Sequence, residues 1–170
     1  ILEKCSNLKV IGRAGVGVDN VDLDVATKNK ILVMNTPLGN LEATAELTVG
    51  LMFSLYRHIH NANASTHEGK WEKAKFMGTE LKGKTLGIIG MGRIGRIVAK
   101  RVQSFGMKVI YFNRNKLSNE LEYGAKYYSD LKSMMPECDF VSIHTPATAE
   151  TKNICPNCTG DLVLRPKIKK

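Results

Sequence analysis

The sequence predicts an α/β fold built on a doubly wound parallel sheet, and three observations carry that expectation. From Lys84 onward, short apolar runs alternate with helical segments, the pattern of parallel strands covered by helices on both faces. The runs at Thr85–Ile89, Lys108–Phe112 and Phe140–Ile143 are rich in apolar residues, as strands shielded on both sides require. Between the first run and the next helix stands Gly90-Met91-Gly92-Arg93-Ile94-Gly95, a G-x-G-x-x-G in the strand-to-helix context where that spacing has a physical task.

The elements follow in order. Leu8 to Gly12 reads as a short buried strand, with the tight loop Ala14-Gly15-Val16-Gly17 after it. Asp22 or Asp19 is placed to cap a helix over Leu23 to Lys28, which ends at Asn29-Lys30. Ile31 to Met34 is a second buried strand, stopped at Thr36-Pro37, and the pair predicts a right-handed βαβ crossover. Glu42 to Asn61 is the longest helical candidate, apolar over most of its circumference and so expected to be buried. His58 and His60 lie two apart near its end, too close in sequence to share a helix face as metal ligands. A basic connection around Trp71 follows. Beyond it come a strand at Thr85–Ile89, a helix from Arg93 to Phe105 stopped by Gly106, and a strand at Lys108–Phe112. The series ends with a helix at Leu117–Tyr123, a strand at Ala125–Tyr128, a helix at Asp130–Pro136 and a strand at Phe140–Ile143.

Composition narrows the function classes. The chain has 170 residues, 43% hydrophobic and 24% charged, which suits a globular protein rather than a disordered one. Its longest apolar stretch, Leu47 to Tyr56, falls short of the roughly 20 residues that span a bilayer. The sequence opens on no basic-then-apolar segment, so no secretory signal is expected, and the four cysteines read as reduced thiols of a cytoplasmic protein without a membrane partner. The net charge is +9, but the basic residues are spread along the chain, dense only from Lys70 to Lys75 and from Arg165 to Lys170, and form no stripe interleaved with aromatic residues. A phosphorylated small molecule accounts for the charge better than nucleic acid does. Cys155-Pro156-Asn157-Cys158 is a lone C-x-x-C without the second pair that a zinc ribbon needs, so no metal site is expected.

In the glycine loop each glycine has its own work. Gly90 permits the sharp turn, Gly92 lets the backbone approach a pyrophosphate, and Gly95 lets the helix pack on the strand. The first N–H groups of the helix then face the anion, with Arg93 and Ile94 in its first turn. The next strand ends Phe112-Asn113-Arg114, where an NAD-binding protein usually carries an acidic residue for the ribose. A neutral Asn113 does not repel a 2′-phosphate, and Arg114 and Lys116 are placed to bind one. The cofactor is therefore read as NAD or NADP, with the balance towards NADP.

A family resemblance completes this reading. Gly12-Arg13-Ala14-Gly15-Val16-Gly17-Val18-Asp19, Asn35-Thr36-Pro37-Leu38-Gly39-Asn40, Ala45-Glu46-Leu47, Gly69-Lys70-Trp71, the glycine loop and His144-Thr145-Pro146 occur in order. On these motifs the chain, from Ile1 to Asn153, resembles the D-isomer-specific 2-hydroxyacid dehydrogenases. The resemblance implies a Rossmann-like cofactor domain preceded by the end of a flavodoxin-like substrate domain. Residues 1–40 would belong to the substrate domain, 41–83 to a long helix and connecting arm, 84–153 to the first half of the cofactor domain, and 154–170 to a divergent tail.

The same resemblance implies roles. Gly90, Gly92, Arg93, Ile94 and Gly95 would hold the dinucleotide phosphates, Asn113 and Arg114 its adenosine end, and Thr145 and Val16 its nicotinamide side. Gly15, Gly17 and Asn40 would face the substrate, a small 2-hydroxy acid. The segment Phe76-Met77-Gly78-Thr79-Glu80-Leu81 points to the family's 3-phosphoglycerate-oxidising branch, which opens serine biosynthesis, and Lys70, Lys73 and Lys75 would then be candidates to meet a substrate phosphate. The glyoxylate/hydroxypyruvate reductase branch and a non-catalytic dinucleotide-sensing corepressor are the alternatives. The family's catalytic Arg, Glu and His are expected beyond Lys170, so the chain reads as a fragment of a homodimeric or tetrameric enzyme.

Overall fold

The computed structural model describes residues 2–5, 7–146, 148 and 151. The tail 154–170, with Cys155 and Cys158, lies outside the described residues. The chain divides into two compact units, one ending at Ala43 and one beginning at Thr44. Of the helix and arm set apart by sequence, residues 44–83 cluster with the second unit.

The first unit is a βαβ motif. Strand β1 (Val10–Arg13) and strand β2 (Leu32–Asn35) pair in parallel, Val10 opposite Leu32. Helix α1 (Leu23–Lys28) connects them, and Asp22 caps it by accepting from the Val25 N–H at 3.0 Å. The strands are not buried as expected: Leu32 is 57% exposed and Val10 and Met34 are exposed too. Two strands and a six-residue helix cannot shield both faces of even a small sheet.

The second unit holds a four-stranded parallel sheet. Its strands are β3 (Thr85–Ile89), β4 (Lys108–Phe112), β5 (Lys126–Tyr128) and β6 (Phe140–Ile143), in the order β5-β4-β3-β6. The chain steps outward from β3 through β4 to β5, then crosses back to place β6 on the other side of β3. Alternate residues of the strands serve two cores. Leu86, Ile88, Val109 and Tyr111 pack with Val98 and Val102 of helix α4 (Arg93–Gln103) and with Ala45 and Met52 of helix α2 (Leu41–Tyr56). Ile89 and Ile110 pack on the opposite face with Met134 and Cys138, from helix α6 (Leu131–Met134) and the turn after it. Helices on both faces make the sheet doubly wound, as expected. In α4 the buried positions Gly95, Val98, Ala99 and Val102 follow helical spacing.

Two helices differ most from expectation. The long helix is broken: α2 stops at Tyr56, and a separate helix, α3, runs over Ile59–His67. His58 between them adopts a left-handed conformation, φ 53°, which turns the chain out of the helix axis. Burial of α2 is confined to a strip, with Leu47 62% and Leu51 49% exposed. The expected helix at Leu117–Tyr123 contracts to α5 (Asn119–Glu122). There Tyr123 is left-handed, and Ser118, extended at ψ 151°, is the N-cap, so Leu117 belongs to the preceding loop, where its N–H donates to the Tyr111 hydroxyl.

Candidate functional site

The candidate cofactor residues of the second unit converge on the C-terminal ends of three adjacent strands. The glycine loop follows β3, Asn113 follows β4 and Thr145 follows β6. The order reverses between β3 and β6, and ligands of open α/β sheets bind at such a reversal. The strand ends are tied together: the Gly90 N–H donates to the Phe112 carbonyl at 3.0 Å, and the His144 N–H to the Ile89 carbonyl at 2.8 Å.

Two glycines of the loop are needed for packing and one for access. Gly90 has φ 92°, and a Cβ on it would stand 2.8 Å from the His144 carbonyl oxygen and from Thr145 Cγ2. A Cβ on Gly95 would stand 2.6 Å from the Gly90 oxygen. At Gly92 a Cβ would meet no atom within 4 Å, so the backbone there borders open space.

Gly92 is also the N-cap of α4 and offers no side-chain acceptor to the helix. The first turn carries no acidic residue and instead holds Arg93, with Arg96 just beyond. Unpaired N–H groups and the positive end of the helix dipole make cations there unfavourable until an anion arrives. Among these residues a dinucleotide pyrophosphate fits.

Asn113 behaves differently from the expectation that it simply leaves room for a phosphate. Its Oδ1 accepts from the Met91 N–H at 2.8 Å, bracing the loop from β4. Met91, an unassigned position of the motif, is completely buried and anchors the loop in the core. Arg114 is exposed at the same strand end. Lys116 is not free as expected, since its Nζ lies 3.9 Å from Glu122 Oε1.

His144 turns away from the loop it supports through its backbone. Its Nε2 lies 2.8 Å from Ser142 Oγ, and burial holds its pKa below the usual histidine value. The ring borders a groove of about 600 Å³ between β6 and helices α2 and α3, which Thr48, Leu51, His58 and His60 also line. The break at His58 brings these histidines to one groove. Among the described residues no group of acidic, histidine and cysteine side chains is arranged to hold a metal.

In the first unit, the end of β2 holds the loop Gly15-Val16-Gly17. The Thr36 N–H donates to the Gly15 carbonyl at 3.0 Å, and Asn35 Nδ2 to the Val16 carbonyl at 2.8 Å. Asn35 and Thr36 are thus positioning residues that residue type alone did not reveal. Asn40 is exposed in the turn before α2. On the arm, Lys70 pairs with Glu68 at 2.7 Å and Lys75 with Glu72 at 3.5 Å.

An anion-ready helix start at the reversal point of a doubly wound parallel sheet makes the second unit a dinucleotide-binding domain. Comparison with known proteins narrows that class. The family model for the D-isomer specific 2-hydroxyacid dehydrogenase, NAD binding domain, matches residues 49–158, and the chain belongs to that family. NAD(P) is accordingly the cofactor.

The chain is 51% identical over 156 residues to D-3-phosphoglycerate dehydrogenase of Homo sapiens, covering 91% of this chain and 29% of that protein. It is 47% identical over 154 residues to hydroxypyruvate reductase of Thermotoga maritima, covering 91% and 49%. The solved structure of the TT0316 protein from Thermus thermophilus superposes with a TM-score of 0.82 at 39% identity, covering 90% of this chain and 49% of that one. The chain thus spans about three-tenths of the length of the D-3-phosphoglycerate dehydrogenases it matches. Among the described residues no helix is long and apolar enough to cross a membrane.

Proposed function

We propose that this chain supplies the cofactor site and one substrate-side loop of an NAD(P)-dependent dehydrogenase that oxidises 3-phosphoglycerate to 3-phosphohydroxypyruvate. The observation that carries the cofactor part is the uncapped start of α4, with Gly92 open to approach and arginines in place of acids. The half-identity to D-3-phosphoglycerate dehydrogenases supports the substrate. In this reading Gly90, Gly92, Arg93, Ile94 and Gly95 hold the pyrophosphate, Asn113 and Arg114 meet the adenosine end, and Thr145 and Val16 line the nicotinamide side. Bound NAD(P) supplies the hydride acceptor. The chain's own residues bind and orient it: N–H groups of α4 neutralise charge, Asn113 fixes the loop, and the packed ends of β3 and β6 exclude water beneath it. Gly15, Gly17 and Asn40 face the 2-hydroxy acid. The enzyme is cytoplasmic and works as a homodimer or tetramer.

Reduction of hydroxypyruvate or glyoxylate is the second reading. Asn113-Arg114 favours it, because a neutral residue followed by a cation suits the NADPH that a reductase draws on. The likeness to the Thermotoga maritima hydroxypyruvate reductase agrees.

The test has two parts. Titration of the 170-residue chain with NADH and with NADPH, against a Gly92→Trp control, is expected to show binding that the control loses. Joining the chain to the C-terminal part of the human relative is expected to give turnover of D-3-phosphoglycerate exceeding that of hydroxypyruvate and glyoxylate. The reverse order of substrates replaces the first reading with the second, and binding unchanged in the control removes both.

A further inference from the structure

The loop between β4 and α5 is folded back on one buried hydroxyl. Tyr111 is completely buried, and its oxygen accepts from the Leu117 N–H at 3.0 Å while donating to Glu122 Oε1 at 2.7 Å. The Glu122 side chain is only 11% exposed, and the same Oε1 lies 3.9 Å from Lys116 Nζ. An ion pair between two freely moving surface groups has little effect. Here the carboxylate is immobilised by the Tyr111 hydroxyl beneath the loop, so its charge is a fixed feature of the adenosine end. Of the two cations in the loop, Lys116 is drawn towards Glu122. Arg114 is exposed and has no ion-pair partner among the described residues.

We propose that Glu122 is a cofactor-specificity residue that acts through Lys116, holding this cation out of reach of a 2′-phosphate so that Arg114 alone serves NADP. The inference rests on the dinucleotide-binding reading of the glycine loop. Electrostatics gives its sign. A 2′-phosphate carries close to two negative charges, and each cation brought to it strengthens NADPH without altering NADH, which presents neutral hydroxyls there. Glu122 thus sets an upper limit on NADPH preference that the neutral Asn113 alone does not impose. Glu122→Gln keeps the side-chain volume and an oxygen to accept from Tyr111, but releases Lys116.

The experiment measures dissociation constants of NADH and NADPH for the 170-residue chain by fluorescence titration, with thermal unfolding as a fold control. Glu122→Gln is expected to tighten NADPH at least threefold and to leave NADH within twofold. Adding Lys116→Met to it is expected to abolish the gain. Lys116→Met alone, which leaves Glu122 and Tyr111 in place, is expected to change NADPH by less than twofold. Loss of NADPH affinity in Lys116→Met alone shows that Lys116 already serves the phosphate, and overturns the proposal whether or not Glu122→Gln folds. Equal changes for both cofactors in Glu122→Gln, or a gain that survives Lys116→Met, overturn it as well. Failure of the unsubstituted chain to bind either cofactor removes the dinucleotide reading itself and the proposal with it.

Discussion

Asn113 Oδ1 accepts a hydrogen bond from the backbone N–H of Met91 at 2.8 Å, so the end of β4 holds the glycine loop that follows β3. The oxygen of this side chain fixes the glycine loop, and in the proposed function its charge state also sets what is tolerated at the ribose.

Asn113→Asp separates the two tasks, because a carboxylate accepts from Met91 as an amide oxygen does. The loop should stay in place while the added charge repels a 2′-phosphate and accepts from ribose hydroxyls. The ratio of NADPH to NADH dissociation constants is expected to rise about tenfold, equivalent to about 1.4 kcal/mol. Asn113→Ala instead leaves the Met91 N–H without its acceptor, at a cost of about 1–3 kcal/mol, and should weaken both cofactors by similar factors. A selective loss of one cofactor in Asn113→Ala would count against the bracing role.

The glycine loop offers a second test, in which stability and binding move separately. Gly92→Ala adds a Cβ where no atom lies within 4 Å, so the melting temperature should hardly change while NADH affinity falls at least tenfold. Gly95→Ala places a Cβ 2.6 Å from the Gly90 oxygen, forcing α4 away from the loop. It should lower stability by about 1–3 kcal/mol, the usual scale of overpacking. Calorimetry and cofactor titration on both variants check the pair. A destabilised Gly92→Ala or a fully stable Gly95→Ala contradicts this division of labour.

How far the sequence foretold these features depends on how local their causes are. The parallel sheet was legible because buried strands are apolar runs and α4 repeats its core residues at helical spacing. The glycine loop was legible because its physics requires glycine at fixed offsets. What was missed arises from tertiary context. Nothing in Tyr56-Arg57-His58-Ile59 announces a helix break, since His58 reaches φ 53° without a glycine or proline to mark it. The Tyr111 network was hidden because a tyrosine within a strand looks like any core aromatic until Glu122, eleven residues on, meets its hydroxyl. The charge of Lys116 was legible as a candidate for a phosphate, but its contact with Glu122 was not. Asn35 and Thr36 read as the end of a strand, although their hydrogen bonds to Val16 and Gly15 shape the loop of the first unit.

The Tyr111 hydroxyl also predicts behaviour in alkali. Burial, and then its bond to the Glu122 carboxylate, push its pKa up to about 12 from the usual 10. The folded chain holds this proton more tightly than the unfolded chain, so the group's contribution to stability is full below about pH 10 and is lost as pH rises towards 12. Tyr111→Phe removes this titration, deletes the hydroxyl that donates to Glu122 and accepts from the Leu117 N–H, and should cost about 1–3 kcal/mol near neutrality. In denaturant titrations from pH 8 to about pH 11, the gap between the two proteins is expected to narrow as pH rises. A constant gap would show that the hydroxyl does not titrate differently in the two states.

His144 gives the opposite slope at the acidic side. Its ring is held by Ser142 at 2.8 Å, and burial lowers its pKa from the usual 6.5. A base whose folded pKa is depressed takes its proton more readily in the unfolded chain. Its stabilising contribution is therefore present above about pH 6.5 and is lost as pH falls below that value. Protonation also affects more than stability, because the His144 backbone carbonyl packs on Gly90. A charged ring that leaves Ser142 for solvent would shift the strand end under the glycine loop. His144→Gln preserves an amide to bond Ser142 and removes the titration. The unsubstituted chain is expected to lose melting temperature and NADH affinity together between pH 7 and about pH 5, whereas His144→Gln should lose less of both over the same interval. Parallel pH profiles for the two proteins would assign the acid sensitivity to other groups and leave His144 as a neutral packing residue.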